Sequence, residues 1–335
     1  MKINIKKISE LSGFSIATVS NALNKKKGVN AQTARKIWEI AEQYGYVLEN
    51  KIDTILLAAY RDSGKVLSNS PFFATLLESV ENEGRRNGFE TRVFNIYRQS
   101  DNFVEEFDQI INDSSTAVIM VGTEMDREAA SKLLAAKAPM VLLDSSFGNL
   151  PLNAVLMNNE DSIKEAVDYL VSLGHKEIGY LRSNVRTQNF DARFAGFRLA
   201  MAENGLDIKE EFIREMPVSI AEAQEDFANW LSASPKLPTA FLADMDLIAL
   251  GAMQALKANG IKVPERVSLI GFDDISFSEV MEPGLTTIRV FTKELGQAAV
   301  RRLIDLINNP TQAKSCIRIY NELVIRGSTA APMGE

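Results

Sequence analysis

The chain's 335 residues, 46% of them hydrophobic and 24% charged, are more than one domain usually holds, so several folding units are expected. One cysteine, Cys316, and one histidine, His175, exclude an internal disulfide and a zinc cluster, and no run of about 20 apolar residues or signal-type stretch is present; a soluble cytoplasmic protein without membrane contact, structural metal or cofactor is expected. The net charge of −7 argues against nucleic-acid binding by the whole chain, yet residues 1–51 carry nine basic side chains against four acidic ones and the remainder 28 against 40, so a basic head sits on an acidic body.

The first predicted helix starts after Asn4, with Ile5, Ile8 and Leu11 at helical spacing, and stops at Gly13, a residue suited to a left-handed C-cap. Ser15 caps a second helix whose Val19 and Leu23 share one face, while Ile16, Ala17, Ser20 and Asn21 fall largely on others. Asn30 caps a third helix, striped by Ile37, Ile40, Ala41 and Tyr44 and ended by Gly45. This is the spacing of a helix-turn-helix with a supporting helix.

The segment ISELSGFSIATVSNALNKKKGVNAQTARKIWEIAEQYGY resembles the DNA-binding head of the lac-repressor/galactose-repressor (LacI/GalR) family of transcription regulators. The resemblance implies that residues 1–47 bind operator DNA, with base-reading side chains at Ile16, Ala17 and Asn21 and phosphate contacts at Asn4, Ser15, Thr18, Ser20, Asn24, Asn30 and Thr33. The placement is physically sensible, because the start of a helix in the major groove offers small side chains to base edges while caps and free N–H groups hold phosphates. Relatives follow the head with a hinge that often opens Tyr-x-Pro-Asn and carries a minor-groove leucine. Here Tyr46 runs into VLENKIDT, so residues 48–54 read as a shortened linker and Leu48 as an ordinary linker leucine.

Beyond the linker, the runs TILLAAY, ETRVFNI, AVIMVG and MVLLD alternate with amphipathic stretches beginning near Pro71, Asp101 and Asp126. AVLMNN, EIGYLR, TAFLAD and VSLIGFDD repeat the theme with helices near 162–173, 192–204, 220–231 and 247–259; TTIRV, a helix over 292–308 and IRIYNELVIRGST finish the chain. Two parallel α/β lobes are expected within a core of residues 55–335, the first over about 55–153 and 286–313, the second over about 154–282 and 314–330. Strand ends of adjoining parallel sheets face a common crevice, the default place for a ligand.

YLVSLGHKEIGYL, RFAGFRLAM, ALGAMQALKANGIKVPERVSLIGFDD, GLTTIRV and ELVIRGST extend the resemblance over almost the whole chain and imply an α/β fold: a helix-turn-helix head on a two-lobed periplasmic-binding-protein-like core of parallel sheets flanked by helices. The implied function is repression controlled by a small-molecule effector, a sugar, with Asp144, Arg193 and Asp273 chelating hydroxyls. Phe72 and Phe73 are candidates to stack on a ring, one of them being expected in the core, and Phe190 is a further candidate. Where many relatives carry an Asn, ADMDLIALGA has Met245, whose thioether cannot donate to a hydroxyl, so a less hydroxylated effector, one turned differently, or one contacted by Asp244 instead are the open alternatives. A homodimer joined along the first lobe would match a palindromic operator.

An enzyme is not expected. Asp273 and Asp274 are adjacent on a strand end and point apart, His175 reads as a loop residue, and neither a GxxxxGK loop nor a nucleophile elbow occurs. A sugar-binding protein without DNA activity and a purine- or nucleoside-responsive regulator are the alternatives, the head arguing against the former; inducer and corepressor action both stay open.

Overall fold

A computed structural model describes residues 4–23, 28–44, 52–69 and 71–333. The chain divides into two compact units, Met1–Lys51 and Ile52–Glu335.

In the first unit, α1 (Ile5–Ser12), α2 (Ile16–Leu23) and α3 (Ala31–Gln43) enclose a small core of Ile8, Val19, Ala22, Leu23, Ile37 and Ala41. Each helix starts on a side-chain cap: Lys7 N–H donates to Asn4 Oδ1 at 2.9 Å, Thr18 N–H to Ser15 Oγ at 3.1 Å, and Thr33 N–H to Asn30 Oδ1 at 2.8 Å. Gly13, at φ 73°, ends α1 and donates its N–H to the Ser9 carbonyl. The apolar face is narrower than periodicity suggests. Leu11 and Tyr44 stay exposed, and Trp38, which the pattern passes over, packs against this core and donates its indole N–H to the Ala22 carbonyl at 3.2 Å. Asn24, Gly45 and Leu48 lie outside the described residues.

The second unit begins with β1 (Thr54–Arg61), α4 (Lys65–Asn69), α5 (Phe72–Arg86), β2 (Glu90–Tyr97), α6 (Phe103–Asn112), β3 (Ala117–Val121), α7 (Arg127–Lys132), β4 (Met140–Leu143) and β5 (Ala154–Met157). It continues with α8 (Asn159–Ser172), β6 (Ile178–Ser183), α9 (Gln188–Glu203), β7 (Ile213–Met216), α10 (Ile220–Ser232), β8 (Ala240–Ala243), α11 (Asp246–Ala258), β9 (Ser268–Asp273), α12 (Ser276–Val280) and β10 (Thr286–Arg289), and closes with α13 (Thr292–Asn308), β11 (Cys316–Ile319) and β12 (Glu322–Val324). The first sheet has the order β11-β5-β4-β3-β1-β2 and the second β12-β10-β9-β8-β6-β7; pairing is parallel throughout except between β10 and β12. The fold class is the one expected, a helix-turn-helix head and a two-lobed α/β core.

The lobe boundaries differ from those expected. Residues 154–157 and 316–319 belong to the first sheet and 286–289 to the second, so the chain changes lobes after β5, after β10 and after β11. The reason is that β5 is apolar on both faces, a pattern that marks a central strand and carries nothing about which sheet receives it, and that the sheet joined by β10 and β11 is set by pairing with distant strands, β9 and β5. Helices α8 and α9 begin at 159 and 188, earlier than expected, and the short β7 at the sheet edge, with Arg214 and Glu215 in it, has no strand signal in the sequence. Among the described residues no helix is long and apolar enough to cross a membrane.

Helices α8 and α9 cross closely at Gly196 of the RFAGF motif, where an added Cβ would stand 2.5 Å from the Glu160 carbonyl oxygen. Backbone cannot yield as a flexible side chain would. Gly196→Ala is therefore expected to destabilise the second unit by about 1–3 kcal/mol in urea unfolding; an unchanged midpoint would mean that the two helices slide apart without cost.

Candidate functional site

Asp144 follows the end of β4 in the first sheet and Asp273 closes β9 in the second, so the parallel topology brings both carboxyls to one crevice between the lobes. Both have positive φ, 62° and 117°, a backbone region that L side chains rarely adopt and that clusters where ligands are held. Arg193, Phe190 and Phe72 line the same space. Thus five of the seven expected effector residues meet in one place.

The other two do not line it. Phe73 packs against the core and under the Arg61 guanidinium, 5.3 Å from the ring centre. Asp244 turns its carboxylate into the second lobe, where it accepts from Tyr180 Oη at 2.8 Å, Ser183 N–H at 2.7 Å and Arg186 at 2.7 Å. A carboxylate so saturated is not available to a ligand, and Met245 faces the crevice instead. Asp246 is also structural: it accepts from Ile275 N–H, Ser278 Oγ and Thr287 Oγ1, bracing the loop that carries Asp273. Gly271 makes room for it, since a Cβ there would overlap its carboxylate.

A relay of buried hydrogen bonds ties the two lobes. Thr123 Oγ1 donates to Asp144 Oδ2 at 2.5 Å, Asn189 Nδ2 to Asp144 Oδ1 at 2.9 Å, Asn159 Nδ2 to Asn189 Oδ1 at 3.1 Å, and Arg193 Nε to Asn159 Oδ1 at 2.8 Å. The Arg193 guanidinium also donates to the Asp244 carbonyl and lies 3.5 Å from the Phe272 ring centre. It is thereby held by groups on three elements. Asp273 differs: Arg193 stands 3.9 Å away as an ion-pair partner, and no hydrogen bond reaches its carboxylate among the described residues. Burial pushes Asp273 up to about 8 despite the pull of Arg193, with the charges of Asp246 and Asp144 adding to the rise. Burial likewise pushes Asp144 up to about 6 against Thr123, Arg193 and Asn189, and Asp246 up to about 6.

Opposite the relay, the Glu124 carboxylate accepts the N–H groups of Asp62, Gly64 and Val66 at 2.9, 2.7 and 3.1 Å, folding the loop after β1 so that Val66 and Leu67 form an apolar wall. The central space is about 30 Å³, room for only one or two waters. Larger spaces adjoin it, one of about 290 Å³ sharing Phe72 and Asp273 and one of about 220 Å³ sharing Met157 and Asn189.

Sequence reasoning missed Asn189, Asn159, Thr123 and Glu124. A signal existed for the first: Thr187 accepts the Phe190 N–H, and reading it as an N-cap places Asn189 and Phe190 in the first turn of α9. The others come from loops or helix starts with no pattern of their own. In the head, Ser15, Ile16 and Ala17 are exposed at the start of α2, Thr18, Ser20, Asn21 and Thr33 are half-buried, and Asn4 and Asn30 are exposed caps.

Residues 4–48 match the family described as bacterial regulatory proteins, lacI family, and residues 167–329 match the periplasmic binding protein-like domain. The HTH-type transcriptional repressor PurR of Actinobacillus pleuropneumoniae serotype 5b (strain L20) is 29% identical over 328 residues, 97% of each chain. PurR of Pasteurella multocida (strain Pm70) is 27% identical over 97% of this chain and 98% of its own. Among solved structures, a dimeric lac repressor with a C-terminal deletion superimposes with a TM-score of 0.71 at 25% identity over 83% of this chain and 99% of that one. A LacI family regulator of Enterococcus faecium with bound ribose gives 0.67 at 26% identity over 82% of this chain and 99% of its own.

Asp244 is also pushed up by burial, and the three carboxyls raised to about 6 and 8 predict a pH dependence. Folded, they keep protons that the unfolded chain releases near 3.8, so their contribution to stability is fully present below about pH 4 and is lost as pH rises through 6 and then 8. Asn accepts the backbone of position 273 and carries no charge. Asp273→Asn without ligand is expected to lose less stability between pH 6 and 9 than the parent, by on the order of 2 kcal/mol in urea melts; parallel profiles would mean that Asp273 ionises freely in the fold.

Proposed function

The chain belongs to the lac-repressor/galactose-repressor (LacI/GalR) family and is a DNA-binding transcriptional repressor controlled by a small molecule; from that premise we propose that its effector is a sugar held between the lobes of a cytoplasmic homodimer. The observation that carries the sugar is Asp273, a partly buried carboxyl that no hydrogen bond reaches among the described residues, beside the buried Arg193 in a crevice that Phe72 and Phe190 also line. Hydroxyls donate to such a carboxyl and, while it keeps its proton, accept from it, and the C–H face of a sugar ring packs on aromatic and thioether surface. Met245 and Met157 make this crevice less polar than hydroxyl chelation on all sides requires, which favours a sugar bound by one polar edge. The 30 Å³ of central space implies that such a ring enters as the lobes part and that the Asn189–Asp144 bond yields with them. No chemistry is assigned to the site, and the protein is not proposed to be an enzyme.

On DNA, Ile16 and Ala17 would touch thymine methyls and Asn21 a base edge, with Asn4, Ser15, Thr18, Ser20, Asn30 and Thr33 around the phosphates. The caps support this, because an Asn whose Oδ1 already accepts from its helix leaves its NH2 group to donate to a phosphate. The dimer is supported by edge strand β2, where Val93, Phe94 and Tyr97 are exposed on the first lobe beside Val104 of α6.

Thermal-shift screening followed by calorimetry on the full chain, with mono- and disaccharides against purines and nucleosides, tests the effector. A sugar is expected to raise the melting point, and Asp273→Ala to weaken it by roughly tenfold or more; stabilisation by a nucleoside and by no sugar would overturn the assignment. In the head, Asn21→Ala is expected to alter the consensus returned by a randomised-operator selection, each base contact discriminating by about 1–3 kcal/mol. The same consensus for parent and variant would remove Asn21 from base reading.

A further inference from the structure

Past the end of β1 the segment Asp62–Leu67 lies against the crevice, and its two buried side chains go to different places. Leu67 joins the apolar cluster that contains Ile55 and Leu57 of β1. Val66, 7% exposed, joins the core of the second lobe, together with Leu181 of β6, Phe190 of α9 and Met245 at the start of α11. Every other buried member of that core comes from residues 181–285, so Val66 is the one side chain that the first lobe plants in it among the described residues.

The segment's other side chains do not explain this reach, since Asp62, Ser63 and Lys65 are exposed. Glu124 supplies the restraint. It lies three residues beyond β3, the strand beside β1, is itself buried, and divides its carboxylate between three N–H groups of the segment, Oε2 accepting from Asp62 and Gly64 and Oε1 from Val66. Gly64, at φ 70°, supplies the left-handed turn within the segment. Hydrogen bonds to an ionised acceptor are strong, so the Val66 backbone is fixed by the first lobe while its side chain is buried in the second.

We propose that residues 62–67 are a clasp that keeps the ligand-free lobes together, with Val66 as its contact and Glu124 as its positioning residue, and that the two set how often the crevice opens to a small molecule. With the clasp in place only about 30 Å³ is left and Met245 is 2% exposed, so no ring reaches Met245 until Val66 has withdrawn. Glu124 acts by preorganisation: without it the segment has to be ordered each time the lobes close, and that cost is subtracted from what Val66 gains by burial. The effector role of the crevice rests on the reading above; the clasp does not, because it is a property of the ligand-free chain.

Alkylation by iodoacetamide reads the opening with no effector present. The full chain carries Cys316→Ser, which removes the exposed native thiol, with Met245→Cys as the reporter or, separately, Val267→Cys, a buried position just before β9 at the end of that strand opposite Asp273. Glu124→Ala is expected to speed alkylation at position 245 roughly tenfold and Val66→Ala several-fold, with the rate at position 267 unchanged in both. Val66→Ile, which keeps the apolar contact, is expected to leave both rates as in the parent. Unfolding raises both rates together, so the reporter at position 267 separates it from lobe opening. Equal rates at position 245 in the parent, Glu124→Ala and Val66→Ala would overturn the clasp, and so would rates at the two positions that rise in step.

Discussion

The unbroken path of side-chain hydrogen bonds from Thr123 through Asp144, Asn189 and Asn159 to Arg193 joins the ends of two sheets that share no strand pairing across the crevice. Each member is less than a tenth exposed, so each bond must be made or replaced for the arrangement to persist. Removing one partner leaves a desolvated donor or acceptor, a penalty of about 1–3 kcal/mol, and the lobes are therefore held by geometry as much as by apolar contact. A ligand in the crevice would shift the balance between lobe arrangements only as far as it binds one of them better than the other.

Asp273 stands outside the relay, and this sets its character. Its loop is held by Asp246, through Ile275, Ser278 and Thr287, while its own carboxylate meets only Arg193 at a distance. The fold thus uses Asp244 and Asp246 in its own hydrogen bonding and leaves the Asp273 carboxyl, raised to about 8 by burial, without a hydrogen bond among the described residues. Positive-φ backbone and a perturbed carboxyl coincide at this position, a pairing that is common at functional sites.

The head follows the opposite logic. Its core is small, and its helix caps lie at the surface, where Asn4, Ser15 and Asn30 accept N–H groups of their own helices. A cap is a short polar side chain at a helix start, and the phosphate contacts proposed for these positions ask for the same residue type.

Local signals were sufficient wherever a residue acts on its own neighbours in sequence. The three head helices, their caps, the alternation of strand and helix, and the placement of Asp144 and Asp273 at strand ends are all legible from spacing. Sequence could not choose a sheet for residues 154–157, 286–289 and 316–319, because the choice depends on which edge is free once the other strands have paired. Nor could it separate Phe72 from Phe73, or show that Asp244 is consumed by Tyr180, Ser183 and Arg186 while Met245 faces the crevice. Adjacent residues there share every local signal and differ only in the direction of their side chains. That direction is decided by partners some 60 positions away along the chain, and pairing over such distances exists only after the lobe has closed around it.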